Sequence, residues 1–204
     1  MIIPHEVTYW NDRDDVEIVK GDPLYTTKVD FMRKNNIVVF RMHDHMHAQR
    51  PDFTYVGSAR DLGLDSRFET APGLHRFVIP ETTLGSLAAN VKARTGARAL
   101  RVVGDPDAKV SRIQLGVGYA TPAINSPEVD VVISGEQQEV DGALDAPEYI
   151  ADAAALGIPR GWIMLGHNVS EEPGMLEMAQ WIKSFVPEVS VQFIKSGEPF
   201  WAPK

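Results

Sequence analysis

Short apolar runs alternate with longer stretches of helical pattern along this chain. "DPLYTTKVDFMRKNN" (22–36) places Leu24, Tyr25, Val29 and Met32 on a helical stripe, with Asn35 or Asn36 able to take a left-handed stop conformation. "IVVFRM" (37–42) follows as a predicted strand. Residues 48–73 are polar and broken by Gly and Pro, which predicts a loop with one short helix near 58–62. "LHRFVI" (74–79) reads as a strand, and "TTLGSLAANVKARTG" (82–96) as a helix with a Thr N-cap, Leu84, Leu87, Ala88 and Val91 on one face, and Gly96 as its stop. "ALRVVG" (99–104) and "VSRIQLGVG" (110–118) flank "DPDAK" and predict a hairpin. "EVDVVISG" (128–135) is a strand leading into the polar "EQQEVDGAL". "DAPEYIADAAALG" (145–157) is a helix with Asp145 as N-cap, Pro147 in the first turn and Gly157 as stop. After the strand "GWIMLG" (161–166), the helix "SEEPGMLEMAQWIKSF" (170–185) is capped by Ser170 and turns Met175, Met178, Ala179 and Ile182 inward. "VSVQFI" (189–194) is the last predicted strand. Helices alternating with strands imply an α/β fold with a mixed sheet flanked by helices.

Composition narrows the classes. The 204 residues are 44% apolar and 24% charged, enough to bury a real core. The net charge of −8 is the wrong sign for a non-specific binder of nucleic acid or of an anionic membrane. No apolar run approaches the roughly 20 residues of a membrane span, and "MIIPHEVTYWNDRDD" lacks the layout of a signal peptide. The expectation is a cytoplasmic protein with a small-molecule substrate. There is no cysteine, so any metal must be held by His, Asp and Glu.

The candidate chemistry gathers after two of the strands. "RMHDHMHAQR" (41–50) carries His43, His45 and His47 within five residues, with Asp44 between two of them. In an extended chain these three alternate positions share one face. "GWIMLGHNVSEE" carries His167 just past a strand and Glu171 four residues on; Glu172 points to another side of the helix. The two regions share a plan of helix, break, apolar strand and then histidine. In open α/β sheets functional groups collect beyond the carboxyl ends of strands. His5 and His75 read as ordinary structural or surface histidines. "GDPD" reads as turn chemistry, and the lone GxG of "LGVGYA" is no nucleotide fingerprint.

"ALRVVGDPDAKVSRIQLGVG", "DVVISGE" and "YIADAAALGIPRGWIMLGHNVSEEPGMLEMAQWIKSFVPEVSVQFI" together resemble the NGG-one-interacting-factor-three-like family of dinuclear-metal-centre proteins, also grouped as GTP cyclohydrolase I type two homologues. The resemblance is strongest over residues 80–204, and "LGHNVSEE" is its most specific segment. In that family a Gly–His pair after a strand and a glutamate four residues later complete a metal site, which His167 and Glu171 match. The family's two adjacent histidines have "MHDHMH" in their place here. Its bridging aspartate has no matching motif between residues 48 and 80, and Asp44, Glu136 and Glu139 are candidates for that place. The resemblance implies two similar α/β lobes around a central metal-binding cleft, here residues 1–80 and 81–204 of one compact unit. It also implies a homo-oligomer, a hexameric ring among the possible assemblies. Trp181, Phe200 and Trp201 near the C-terminus would either pack on their own lobe or form a subunit contact.

Two functional classes follow. In the first, the chain is a metal-dependent hydrolase acting on a nucleotide or similar small molecule. His43 and His45 would form one wall of the site and His167 with Glu171 the other, with His47 outside and Glu136 as general base. One or two ions of Zn, Mn, Fe, Co or Ni suit such N/O donors. In the second, the same ligands bind a metal without catalysis, in an interaction, regulatory or metal-handling role. An open coordination position distinguishes the two.

Overall fold

The computed structural model describes residues 1–11, 13, 15–64, 68–69, 75–119, 124–136 and 146–203. Leu74, Glu139 and the expected N-cap Asp145 lie outside these residues. The chain divides into two units, Met1–Asp52 and Phe53–Lys204. No helix is long and apolar enough to cross a membrane among the described residues.

The first unit contains helix α1 (Pro23–Lys34) and a single helical turn, α2 (Asp44–His47). Asp22 caps α1 by accepting a hydrogen bond from Leu24 N at 2.6 Å, Pro23 occupies its first position, and Asn36 takes φ 51° after it. A cap of this kind stabilises by about 1 kcal/mol. The predicted strand 37–42 is extended but does not enter a sheet core. Its partner is the N-terminal segment: Val39 bridges Ile2 in parallel, Phe40 N donates to Ile2 O, and Met42 N donates to Pro4 O. Pro4 has no N–H to continue the ladder, and Val38 and Phe40 face outward, 58% and 53% exposed.

Among the described residues, the second unit is built on one mixed sheet of six strands in the order β1-β2-β4-β5-β6-β3. The strands are β1 (Phe68–Glu69), β2 (Arg76–Thr83), β3 (Arg101–Gly104), β4 (Lys109–Leu115), β5 (Val131–Ser134) and β6 (Gly161–Met164). β4, β5 and β6 run parallel, while β2 and β3 flank them antiparallel. The apolar runs 128–134 and 161–166 are its centre, and β5 and β6 are buried at every position. Alternation divides them between two faces. Val131, Ile133 and Ile163 join Phe77, Ile113, Leu84 and Val91 in one core, and Val132, Trp162 and Met164 join Ile150 and Ala146 in the other. The helices are α3 (Phe53–Asp61), α4 (Leu84–Thr95), α5 (Ala146–Ala155) and α6 (His167–Phe185). α4 has the predicted ends: Thr83 accepts from Ser86 N at 3.1 Å, and Gly96 takes φ 69°.

Four local readings change. α3 starts at Phe53, earlier than the short helix expected near 58–62. "DPDAK" turns as expected, with Asp105 Oδ1 accepting from Asp107 N at 2.9 Å, but β3 and β4 do not form a hairpin. The corner docks on the start of α4 through Gly85 N to Pro106 O and Leu84 N to Ala108 O, and this separates the two strands. α6 begins at His167 with Gly166 as N-cap, so Ser170 lies inside the helix. Residues 189–194 form no strand; this segment precedes Glu198, whose carboxylate, rather than a backbone ladder, meets the residues before β3. At the C-terminal end Trp181 packs beside Phe53 and Phe185, whereas Phe200 and Trp201 are exposed.

Asp130 fixes the β4–β5 register. Its buried carboxylate accepts from Ser111 N and Arg112 N, both at 2.9 Å, and from the Arg112 guanidinium. Burial pushes its carboxyl pKa up, but Arg112 and the two backbone donors together hold it below the usual value. A depressed carboxylate contributes stability that is present above its unfolded pKa and lost as pH falls through the folded one. Asp130→Asn should therefore cost about 1.5–3 kcal/mol at pH 7. That gap should narrow as pH falls below 3.8, the ordinary value. Urea denaturation at both pH values measures it; a gap that does not change with pH would show that the charge is not what matters.

Candidate metal centre

Candidate side chains gather at two places, one in each unit, and the first is a trio whose ligand atoms lie close enough together to hold one ion. The first rests on the N-terminal pairing. Because Ile2 lies beside Val39, His5 comes beside Met42 and His43. The turn α2 then reverses the expected spacing. In a helical turn residues i and i+4 share a face, not i and i+2, so His47 joins His43 while His45 is exposed and outside the group. His47 N to His43 O and Ala48 N to Asp44 O close the turn, and Met46 is fully buried beneath it.

The three rings pack closely, His5 stacked on His43 at 4.5 Å and His47 edge-on to both at 5.0 and 4.7 Å. Each ring has its Nδ1 against an oxygen: Met42 O for His5 at 3.2 Å, Asp44 Oδ1 for His43 at 2.7 Å and Asp52 Oδ2 for His47 at 2.9 Å. A carbonyl can only accept, so the His5 proton sits on Nδ1 and the ring's lone pair on Nε2. The hydrogen bond from His43 holds the Asp44 carboxyl below its ordinary value. Metal-binding histidines show this arrangement, with an oxygen acceptor behind each ring to set its tautomer and orientation.

The donor set fits a divalent ion. Three nitrogens each about 2.1 Å from one ion stand about 3.6 Å apart at most when evenly spaced. One ligand atom from each of His5, His43 and His47 lies within 4.8 Å of the others, so an inward shift of up to about 0.7 Å per ring closes the group. Three imidazoles without thiolate suit Zn, Co, Ni, Fe or Mn. Sequence reasoning missed His5. The available signal was that "MIIPH" and "VVFRMH" both end an apolar run in a histidine, as a parallel pair would require.

The second group lies beyond the carboxyl ends of β4, β5 and β6. It joins three residues singled out from sequence. His167 and Glu171 share a face of α6, with His167 Nε2 3.1 Å from Glu171 Oε2, and the other ring nitrogen, Nδ1, meets Glu136 Oε1 at 2.9 Å. Glu171 is buried, 6% exposed, whereas half of the Glu136 side chain faces solvent. Gly118 provides the room. A Cβ on it would stand 2.1 Å from Glu171 Oε1 and 3.2 Å from His167 Nε2, and its φ is +56°. Ser170 ties the loop to the helix by accepting from Gly118 N at 2.8 Å and donating to His167 O at 2.7 Å. Of the candidates for a bridging carboxylate, Asp44 is 94% exposed at its side chain.

The fold is α/β, and it carries histidine and glutamate groups that could bind a metal. The sequence matches Duf34/NIF3 (NGG1p interacting factor 3) over residues 1–199, and the chain belongs to that family. No curated protein matches it. Among solved structures it is similar to Staphylococcus aureus hypothetical protein SA1388, with TM-score 0.71 and 14% identity over 99% of this chain and 79% of that one. It is also similar to protein ybgI, of unknown function, with TM-score 0.64 and 23% identity over 97% and 76% of the two chains. TTHA1606 from Thermus thermophilus follows, with TM-score 0.60 and 18% identity over 97% and 74%.

Proposed function

We propose that this chain binds divalent transition metal and uses it to hydrolyse a nucleotide or similar small molecule. The observation that carries the reading is the trio His5, His43 and His47, each ring held at Nδ1 by an oxygen acceptor. His167 and Glu171 are the further ligands we assign. A bound ion of this kind supplies Lewis acidity and lowers the pKa of water towards about 7. Glu136 is the residue we assign to proton transfer, because it combines solvent exposure with a hydrogen bond to the His167 ring. The substrate class rests on the family resemblance alone.

Metal analysis of purified protein tests the reading. Wild type should retain one or two ions per chain. His43→Ala with His47→Ala, and separately His167→Ala with Glu171→Ala, should each lower that stoichiometry, while His45→Ala should leave it unchanged. A hydrolase screen with and without chelator then separates the classes. Retained metal with no chelator-sensitive hydrolysis would favour the non-catalytic reading, and absence of metal from wild type would overturn both.

A further inference from the structure

The first two turns of α6 present two functional faces. His167 and Glu171 form one. Asn168 and Glu172, each one residue on, form the next, about 100° around the helix. This second face grips the C-terminal segment. Glu172 Oε1 accepts from Ser196 N at 2.6 Å, Ser196 Oγ at 3.0 Å and Gly197 N at 2.9 Å, and Lys195 Nζ lies 3.6 Å from Glu172 Oε2. Asn168 Nδ2 donates to Gly197 O at 2.5 Å. The segment is anchored at its other side as well. The Glu198 carboxylate, 6% exposed, accepts from Arg98 N at 2.5 Å and Ala99 N at 3.1 Å, just before β3. Both ends of the grip are therefore built from carboxylates that would be costly to bury without these donors.

The start of α6 needs such a brace. Its N-cap is Gly166, with φ 94°, which has no side chain to cap the free N–H groups of the first turn. A rotation of about 10° about the helix axis would move a group roughly 6 Å from that axis by about 1 Å, enough to spoil a metal ligand. Fixing the Asn168–Glu172 face fixes the His167–Glu171 face on the same turns.

We infer that residues 195–198 are a strap that positions His167 and Glu171, with Glu172 and Asn168 as its positioning residues. Glu172 acts through the helix and not as a ligand. The inference rests on the proposed metal-binding role of the His167–Glu171 pair.

The test compares the full chain with a chain ending at Ile194 and with Glu172→Ala and Glu172→Gln. Zinc affinity is measured by chelator competition. The His167 ring resonances of metal-free protein are followed by nitrogen-edited NMR, with His75 as the internal control. Zinc affinity should fall roughly 10–100-fold in the shortened chain and in Glu172→Ala, the range seen when a partner behind a ligand is lost. The His167 ring signals should move while those of His75 stay. Glu172→Gln keeps an acceptor oxygen for Ser196 and Gly197 and should restore most of the affinity. If the shortened chain fails to fold, Glu172→Ala, which removes no backbone, decides. Unchanged zinc affinity and unchanged His167 signals in Glu172→Ala would overturn the strap. If the full chain binds no zinc, the metal reading fails by itself, and the His167 signals alone decide whether the strap positions the ring.

Discussion

Gly57→Ala should destabilise the protein by about 3 kcal/mol, although alanine is the better helix former by roughly 1 kcal/mol. The reason is the contact between α3 and α6. A Cβ on Gly57 would stand 2.4 Å from Pro173 C and Gly174 N and 2.5 Å from Pro173 O, all backbone atoms. Gly174 repeats the constraint from the other side, its Cβ falling 2.6 Å from Thr54 Cα. Backbone cannot rotate out of the way as a side chain can, so the helices must separate, and the loss should fall at the upper end of the overpacking range. Two other glycines calibrate the effect. Gly21 has open space and no positive φ, so Gly21→Ala should be neutral or stabilising by about 0.4–1 kcal/mol. Gly96 also has open space but sits at φ +69°, so Gly96→Ala should cost about 1–2 kcal/mol for conformation alone. Urea denaturation of the three variants gives the order. Gly57→Ala as stable as Gly21→Ala would mean that the helices are not in backbone contact.

The parts of the fold that were legible were those decided locally or by strong burial. The apolar runs of β5 and β6 admit few alternatives because both faces are covered. The ends of α4 follow from Thr83 and Gly96. What sequence pattern could not supply was pairing. "DPDAK" has real turn chemistry, yet the turn packs on α4 instead of joining its two strands. Residues 189–194 keep a strand-like alternation, with Val191 and Phe193 turned inward, but pair with no described strand. α3 begins where a polar stretch broken by Gly and Pro suggested loop, because small residues there, Thr54, Gly57, Ser58 and Ala59, are the ones that allow close packing.

The candidate site divides in the same way. His167 and Glu171 were visible from the strand-to-helix turn and the matched motif, and Glu136 from its place after a strand; α6, which begins at His167, then sets the first two at (i, i+4). In the N-terminal unit the histidine run was visible but its geometry was not. Extended chain favours His43 with His45, and a single helical turn favours His43 with His47. Nothing in the run itself decides between them. His5, 38 positions before His43, enters the group only through the Ile2–Val39 bridge.

Gly118→Ala should separate the site from the fold. The introduced Cβ would stand 2.1 Å from Glu171 Oε1 and 2.8 Å from its Cδ. Unlike the backbone facing Gly57, these atoms are the far end of a flexible side chain. The strain is therefore relieved by displacing the Glu171 carboxylate, and the stability cost should stay near the roughly 1–2 kcal/mol of a left-handed alanine. The displaced carboxylate is half of the pair assigned to metal, and His167 Nε2, 3.2 Å from the same Cβ, is the other half. Zinc affinity should fall by at least about tenfold, as it does when ligand geometry is disturbed. Chelator competition and urea denaturation on one preparation measure both. A variant that loses the expected stability but binds zinc as wild type does would show that Glu171 is not a ligand. One that loses both binding and several kcal/mol would show that the Gly118 loop holds the sheet ends together through Ser170 and not only the site.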